Sequence, residues 1–198
     1  AGMDLKVLAA GKARLQREPG TPGMGQDRYG LSRFKGPVIA AVNGVAVAGG
    51  MELAMCCDIR IAAEEARFAD THARVGVIPG GQMSALLPRL IGLARAKEMS
   101  LAGAYIDAAT AERWGLVNRV TTAAELMPTC LAMARAMAAV DGTILQTYNQ
   151  LIDDGFAMTY AEALAHEDAV STAYNARLDA GGFEGRVGTV FERGRAGG

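Results

Sequence analysis

Apolar residues in the middle of the chain come in short runs punctuated by glycine. Val38-Ile39-Ala40-Ala41-Val42 is rich in β-branched residues, the composition of a buried strand. Asn43-Gly44 is a turn dipeptide, and Val45-Ala46-Val47-Ala48 predicts a second short strand. Gly49-Gly50 then opens Met51-Glu52-Leu53-Ala54-Met55-Cys56-Cys57, which predicts a helix. Residues 59–62 and 67–69 predict two further strands, Pro79-Gly80-Gly81 precedes an apolar helix near 84–91, and 116–120 predicts a last strand. Strand and helix in alternation argue for an α/β core.

The texture differs on either side of this segment. Residues 1–36 are rich in Gly, Lys and Arg, and Pro19-Gly20-Thr21-Pro22-Gly23 reads as a mobile loop. Residues 28–35 predict a short helix leading into the first strand. From 123 to 194 almost every residue is compatible with helix. Leu126, Cys130, Leu131, Ala134 and Met137 recur at helical spacing, as do Leu145, Tyr148, Leu151 and Ile152, then Ala161, Leu164 and Ala165. Glycines at 142, 155 and 181–182 read as separators between helical segments. These apolar faces exceed what a small core needs, which points to packing on a partner subunit. Faces buried within one chain would give the same pattern.

Composition narrows the class. With 198 residues, 51% hydrophobic and 21% charged, the chain is globular, one domain or one domain with an appendage. A net charge of −1 offers no broad electrostatic footprint for nucleic acid. Arg186, Arg193 and Arg195 read as a solvated helix end, not a phosphate track. Cys56, Cys57 and Cys130 are odd in number and two are adjacent, so they form no disulfide framework. A reducing, cytoplasmic location is the expectation. Two histidines, His72 and His166, are too sparse for a His/Cys metal site. The apolar run 37–50 is broken by Asn43-Gly44 and too short to span a bilayer, so no membrane role is expected.

Candidate chemistry centres on the Gly-Gly pair. Glycines let another group approach the backbone closely. The first N–H groups of a helix lack internal partners and can donate to an oxyanion. The competing reading is that both glycines merely permit tight strand–helix packing. Glu52, in the helix's first turn, has two readings as well. It complements the helix N-terminus, or it lies in an apolar pocket, where a carboxyl holds its proton more tightly and suits acid/base work. Asp58 reads as a turn or capping residue. His72, in the polar stretch Asp70-Thr71-His72-Ala73-Arg74, gains interest only if it faces Glu52. There is no G-x-S-x-G elbow and no Walker sequence.

Several stretches together resemble the enoyl-CoA hydratase/isomerase (crotonase) family. They are Lys35-Gly36-Pro37-Val38-Ile39-Ala40-Ala41-Val42-Asn43-Gly44, Ala48-Gly49-Gly50-Met51-Glu52-Leu53-Ala54 and Cys57-Asp58-Ile59-Arg60-Ile61-Ala62. Phe68-Ala69-Asp70, Gly76-Val77-Ile78-Pro79-Gly80-Gly81, Ala102-Gly103 and Trp114-Gly115-Leu116-Val117 continue the pattern. The resemblance runs from Ala1, because Ala1-Gly2-Met3-Asp4-Leu5-Lys6 matches a segment well inside a full-length member. It therefore implies that the first strands and helices of the core precede this sequence.

The resemblance implies an α/β fold, a ββα spiral core over 1–120 and a helical region over 121–198 that drives assembly into homotrimers or homohexamers. It implies an oxyanion hole made by the backbone N–H groups of Met3 and Gly49. It matches Glu52 to the first of the hydratase's two catalytic glutamates. The second falls on His72, so the two-carboxylate arrangement is altered and simple enoyl isomerase activity is disfavoured. Ala1, Asp4, Leu5 and Lys6 would line the CoA moiety, Val45, Gly50, Thr71 and Val75 would contact substrate, and Phe191 would reach a neighbour's CoA. The expected activity is that of a hydro-lyase, hydrating a 2-enoyl-CoA. Glu52 would hold the water and take its proton; His72 would orient the water or supply the proton at C2. CoA belongs to the substrate, and no other cofactor or metal is implied. The same family machinery supports decarboxylation, hydrolysis or C–C cleavage of CoA thioesters, or acyl-CoA binding without turnover.

Overall fold

The β-branched run forms strand β1, Ile39–Val42. It pairs in parallel with β3, Ile59–Ala63, placing Ile39 opposite Ile59 and Val42 opposite Ala62. β6, Arg119–Thr121, adds in parallel on the other side of β3. A second three-stranded sheet joins β2, Val45–Val47, in parallel to β4, Arg67–Ala69, with β5, Ile106–Asp107, antiparallel to β4. Parallel neighbours need a crossover, and the helix Gly49–Met55 lies on the path from β1 and β2 to β3. This computed structural model describes residues 6–7, 10, 28–178, 183, 187–188 and 191. The Gly/Pro cluster 19–23, Gly181-Gly182 and Arg186, Arg193 and Arg195 lie outside the described residues.

Side chains alternate along β3 and both of its faces are covered, as parallel strands require. Ala62 faces a core that includes Met51, Met55, Phe68, Leu87, Met99 and Leu116. Ile61 and Ala63 face a second cluster with Leu126 and Cys130. Leu126 and Cys130 come from the helix Ala123–Ala138, whose Thr122 cap accepts a hydrogen bond from the Glu125 N–H at 3.3 Å. Because this helix covers the β-sheet, the first of two compact units runs over 1–142 and the second over 143–198. That division falls one helix later than the boundary expected between 120 and 121.

Arg60 on β3 is buried. Its guanidinium donates to the Leu116 carbonyl at 2.6 Å and the Cys57 carbonyl at 2.8 Å, and its backbone N–H donates to Asn118 Oδ1 at 2.9 Å. Burial lowers the pKa of the guanidinium, while nearby Cys57 and Asp58 oppose that shift. The same region corrects the strand expected over 116–120. Leu116 and Val117 turn inward, and their N–H groups bond back to the Ala111 carbonyl, closing the helix Ala108–Trp114. Asn118 N–H donates to the Arg60 carbonyl at 2.8 Å, and the strand paired with β3 runs from Arg119. The helices Met83–Ile91 and Leu93–Ala102 complete this unit.

In the second unit, Gly142–Ala157 and Tyr160–Asn175 are helices. Gly155 lies inside the first of these rather than separating segments. The break comes at Thr159, where a reciprocal cap with Glu162 starts the next helix. Tyr148, Ile152, Phe156 and Leu164 are exposed on this unit. Among the described residues no single helix is long and apolar enough to cross a membrane.

Arg60→Ala leaves two buried carbonyls without their donor. It is expected to lower stability by about 2–4 kcal/mol, read as a lower urea midpoint at unchanged slope. An unchanged midpoint would show that Arg60 does not hold the Leu116–Asn118 turn.

Candidate active site

The site begins where β2 ends. Ala48 N–H donates to the Ala69 carbonyl at 3.1 Å, carrying the β2–β4 ladder one residue further. Ala48 then takes φ 46°, ψ −120°, and the helix starts at Gly49. Positive φ at a non-glycine residue is costly and marks a locally constrained backbone. The first hydrogen bond of the helix runs from Glu52 N–H to the Ala48 carbonyl at 2.9 Å, so the Gly49 N–H precedes the helical ladder. A Cβ at Gly49 would stand 3.8 Å from Tyr29 Oη, an ordinary contact. Packing among the described residues therefore does not demand glycine at this position.

One turn on, Glu52 is 3% exposed. Its chain neighbours Met51, Ala54 and Met55 enter the core, but its carboxylate does not share their surroundings. Oε1 accepts from Gly81 N–H at 2.7 Å and Met83 N–H at 3.4 Å, and Oε2 accepts from the Tyr29 hydroxyl at 2.9 Å. The apolar pocket, one of the two readings of Glu52, is thus corrected to a polar cradle. The donors to the carboxylate come from Tyr29 and the Gly81–Met83 segment, not from the N-terminus of its own helix. Burial, and then the bond to Glu52, raise the pKa of the Tyr29 phenol, so it keeps its proton.

Two of these partners were not legible as site residues. Tyr29 lies in a short 3-10 segment, Arg28–Arg33, kinked where Tyr29 (φ 57°) and Gly30 (φ 82°) turn left-handed. The helix expected over 28–35 is broken by that kink. At Gly81 a Cβ would lie 2.6 Å from Glu52 Oε2 and 2.7 Å from its Cδ, so the carboxylate occupies the space a side chain would need.

His72 faces this cradle. Its Nε2 lies 3.9 Å from Glu52 Oε2, and its Nδ1 lies 2.7 Å from Asp70 Oδ1. Asp70 is buried at the end of β4, and its Oδ1 also accepts the His72 backbone N–H at 3.1 Å. An acid two residues before a polar turn is a recognisable signal for this local bond. Asp58, by contrast, fills the capping role expected of it and accepts from Val38 N–H at 2.6 Å. Among the described residues no group of three or more His, Cys, Asp or Glu side chains is arranged to hold a metal.

The remaining expected site residues are more dispersed. Gly50 is half-buried in the first turn, and Thr71 is half-buried beside His72, its carbonyl accepting the Arg74 and Val75 N–H groups. Val45 and Val75 are exposed, as is Lys6. Phe191 is exposed and belongs to the second unit. Ala1, Met3, Asp4 and Leu5 lie outside the described residues.

The sequence model for enoyl-CoA hydratase/isomerase matches residues 1–189. The chain belongs to the enoyl-CoA hydratase/isomerase family. It is 42% identical over 137 residues to the "probable enoyl-CoA hydratase echA8" of Mycobacterium leprae, a match covering 69% of this chain and 53% of that protein. It is 43% identical over 128 residues to the crotonyl-CoA hydratase of Syntrophomonas wolfei, covering 65% of this chain and 49% of that protein. The crystal structure of an enoyl-CoA hydratase from Bacillus anthracis superposes with a TM-score of 0.70 at 34% identity, over 73% of this chain and 56% of the other. The fold is therefore that of the crotonase family. The chain spans about half the length of the curated relatives it matches.

Within this family member, Gly81→Ala should displace the Glu52 carboxylate or the Tyr29 hydroxyl. A cost of about 1–3 kcal/mol is expected from overpacking, measured by urea unfolding. A neutral substitution would mean that the cradle is looser than its distances indicate.

Proposed function

We propose that this protein hydrates 2-enoyl-CoA thioesters to 3-hydroxyacyl-CoA. The observation that carries the reading is the approach of the half-buried His72 Nε2 to the buried Glu52 Oε2 at 3.9 Å. That separation is too long for a direct hydrogen bond and suits a water held by both groups. The names of the relatives, among them a crotonyl-CoA hydratase, agree with it.

In this reading the thioester carbonyl accepts hydrogen bonds from the N–H groups of Gly49 and Met3. Negative charge grows on that oxygen as water adds at C3. Donors fixed beforehand stabilise the developing charge, each contributing about 3–4 kcal/mol. The water oxygen bonds to C3, one of its protons passes to the Glu52–His72 pair, and the pair returns a proton to C2. Atoms and charge balance with no cofactor beyond the CoA carried by the substrate. Ala1, Asp4, Leu5, Lys6, Val45, Gly50, Thr71 and Val75 are assigned to substrate binding on the family resemblance. We assign Phe191 to a neighbour's CoA on the same ground. A homotrimer or homohexamer in the cytoplasm completes the proposal. Exposed Tyr148, Ile152 and Phe156 support self-association, and three buried cysteines outside any disulfide suit a reducing compartment.

Glu52→Gln keeps the shape and removes the charge. Hydration of crotonyl-CoA is expected to fall about 10²–10⁴-fold, and unchanged hydration would remove Glu52 from the mechanism. Turnover of a malonyl-type or 3-hydroxyacyl thioester alone would assign the site to decarboxylation, hydrolysis or C–C cleavage instead.

A further inference from the structure

Resting on the hydratase reading, we infer that Asp70 is a positioning residue that fixes the tautomer of His72, making His72 the acceptor of the water's proton. Asp70 is 2% exposed, and its Oδ1 receives two contacts from the same residue, the His72 ring nitrogen Nδ1 at 2.7 Å and the His72 backbone N–H at 3.1 Å. An ionised carboxylate only accepts hydrogen bonds. The proton on the imidazole is therefore placed at Nδ1. A neutral ring with hydrogen on Nδ1 has a bare lone pair on Nε2, and Nε2 is the atom facing Glu52 Oε2 across 3.9 Å.

Glu52 is an acceptor on the other side of this gap, because its donors come from Gly81, Met83 and Tyr29. Two acceptors face each other and cannot bond directly. A molecule that satisfies both must donate two hydrogens. Water has two, whereas an alcohol or thiol has one, so the gap selects water as the nucleophile. The role of each side chain follows. Glu52 anchors one hydrogen of the water. His72 Nε2 takes the other as the oxygen bonds to C3, and the resulting imidazolium then returns that proton to C2. A ring held with its hydrogen on Nδ1 does not begin the reaction as a donor from Nε2. The hydratase's second carboxylate is thus replaced by an Asp–His pair in which the aspartate directs and the imidazole exchanges the proton.

The ring can be observed directly. Long-range proton–nitrogen correlation spectra of the protein, with His166→Gln to assign the two histidines, are expected to show His72 Nδ1 protonated and Nε2 unprotonated at neutral pH. A protonated Nε2 in the resting protein overturns the inference, whatever the activity. If that pattern is seen but no enoyl thioester is hydrated, the hydratase reading falls while the ring assignment stands. Asp70→Asn offers an amide donor to Nδ1 and is expected to move the ring proton to Nε2. It should lower kcat about 10²–10⁴-fold with KM within about threefold of the parent. In a His72→Gln background the same substitution should cost less than about twofold more. An equal loss in both backgrounds would make Asp70 merely structural and overturn its positioning role.

Discussion

The buried Glu52 carboxylate ties the site together. Carried on the helix Gly49–Met55, it accepts hydrogen bonds from the Gly81–Met83 segment and from the Tyr29 phenol. An uncompensated carboxylate at this depth would be strongly unfavourable, so its three donors are a condition of the fold as well as of any chemistry. They also divide its oxygens. Oε1 is held by backbone N–H groups, and Oε2, bonded to Tyr29, faces His72. Gly81 follows from the same constraint, because the carboxylate fills the volume of the absent side chain.

The sheets deliver the second half of the site. β2 and β4 are parallel neighbours, and both end at the same edge. The end of β2 leads through Ala48 into the helix carrying Glu52, and the end of β4 leads through Asp70 into the turn carrying His72. A carboxylate and an imidazole twenty residues apart are thereby brought face to face. Arg60 and the double-faced core of β3 fix the neighbouring sheet, where a buried guanidinium ties β3 to the carbonyls of Leu116 and Cys57.

Much of this was legible in the sequence. The strands at 39–42, 45–47, 59–63 and 67–69 follow from short β-branched and apolar runs set between turn residues. Gly49 and Glu52 stood out by their place at a strand–helix junction, and the family resemblance drew His72 to them. The Tyr29 contact was not legible, since it depends on a left-handed kink joining positions 23 residues apart. Neither sequence reading of Glu52, a helix N-terminus complement or an apolar pocket, anticipated its polar cradle, because sequence neighbours on a helix point in different directions from the side chain itself. The strand expected from 116 begins only at 119 because the Leu116 and Val117 N–H groups close a helix instead, a tertiary choice that strand propensity does not register.

The central claim is that Gly49, Glu52 and His72 surround the reacting carbons of an acyl-CoA thioester. A crystal structure with an unreactive acyl-CoA bound tests it most directly. The account predicts the thioester oxygen at hydrogen-bond distance from the Gly49 N–H. It also predicts a water between Glu52 Oε2 and His72 Nε2, about 3–3.5 Å from C3. A thioester seated away from the Gly49 N–H, or an acyl chain whose C2 and C3 lie remote from both side chains, would contradict it.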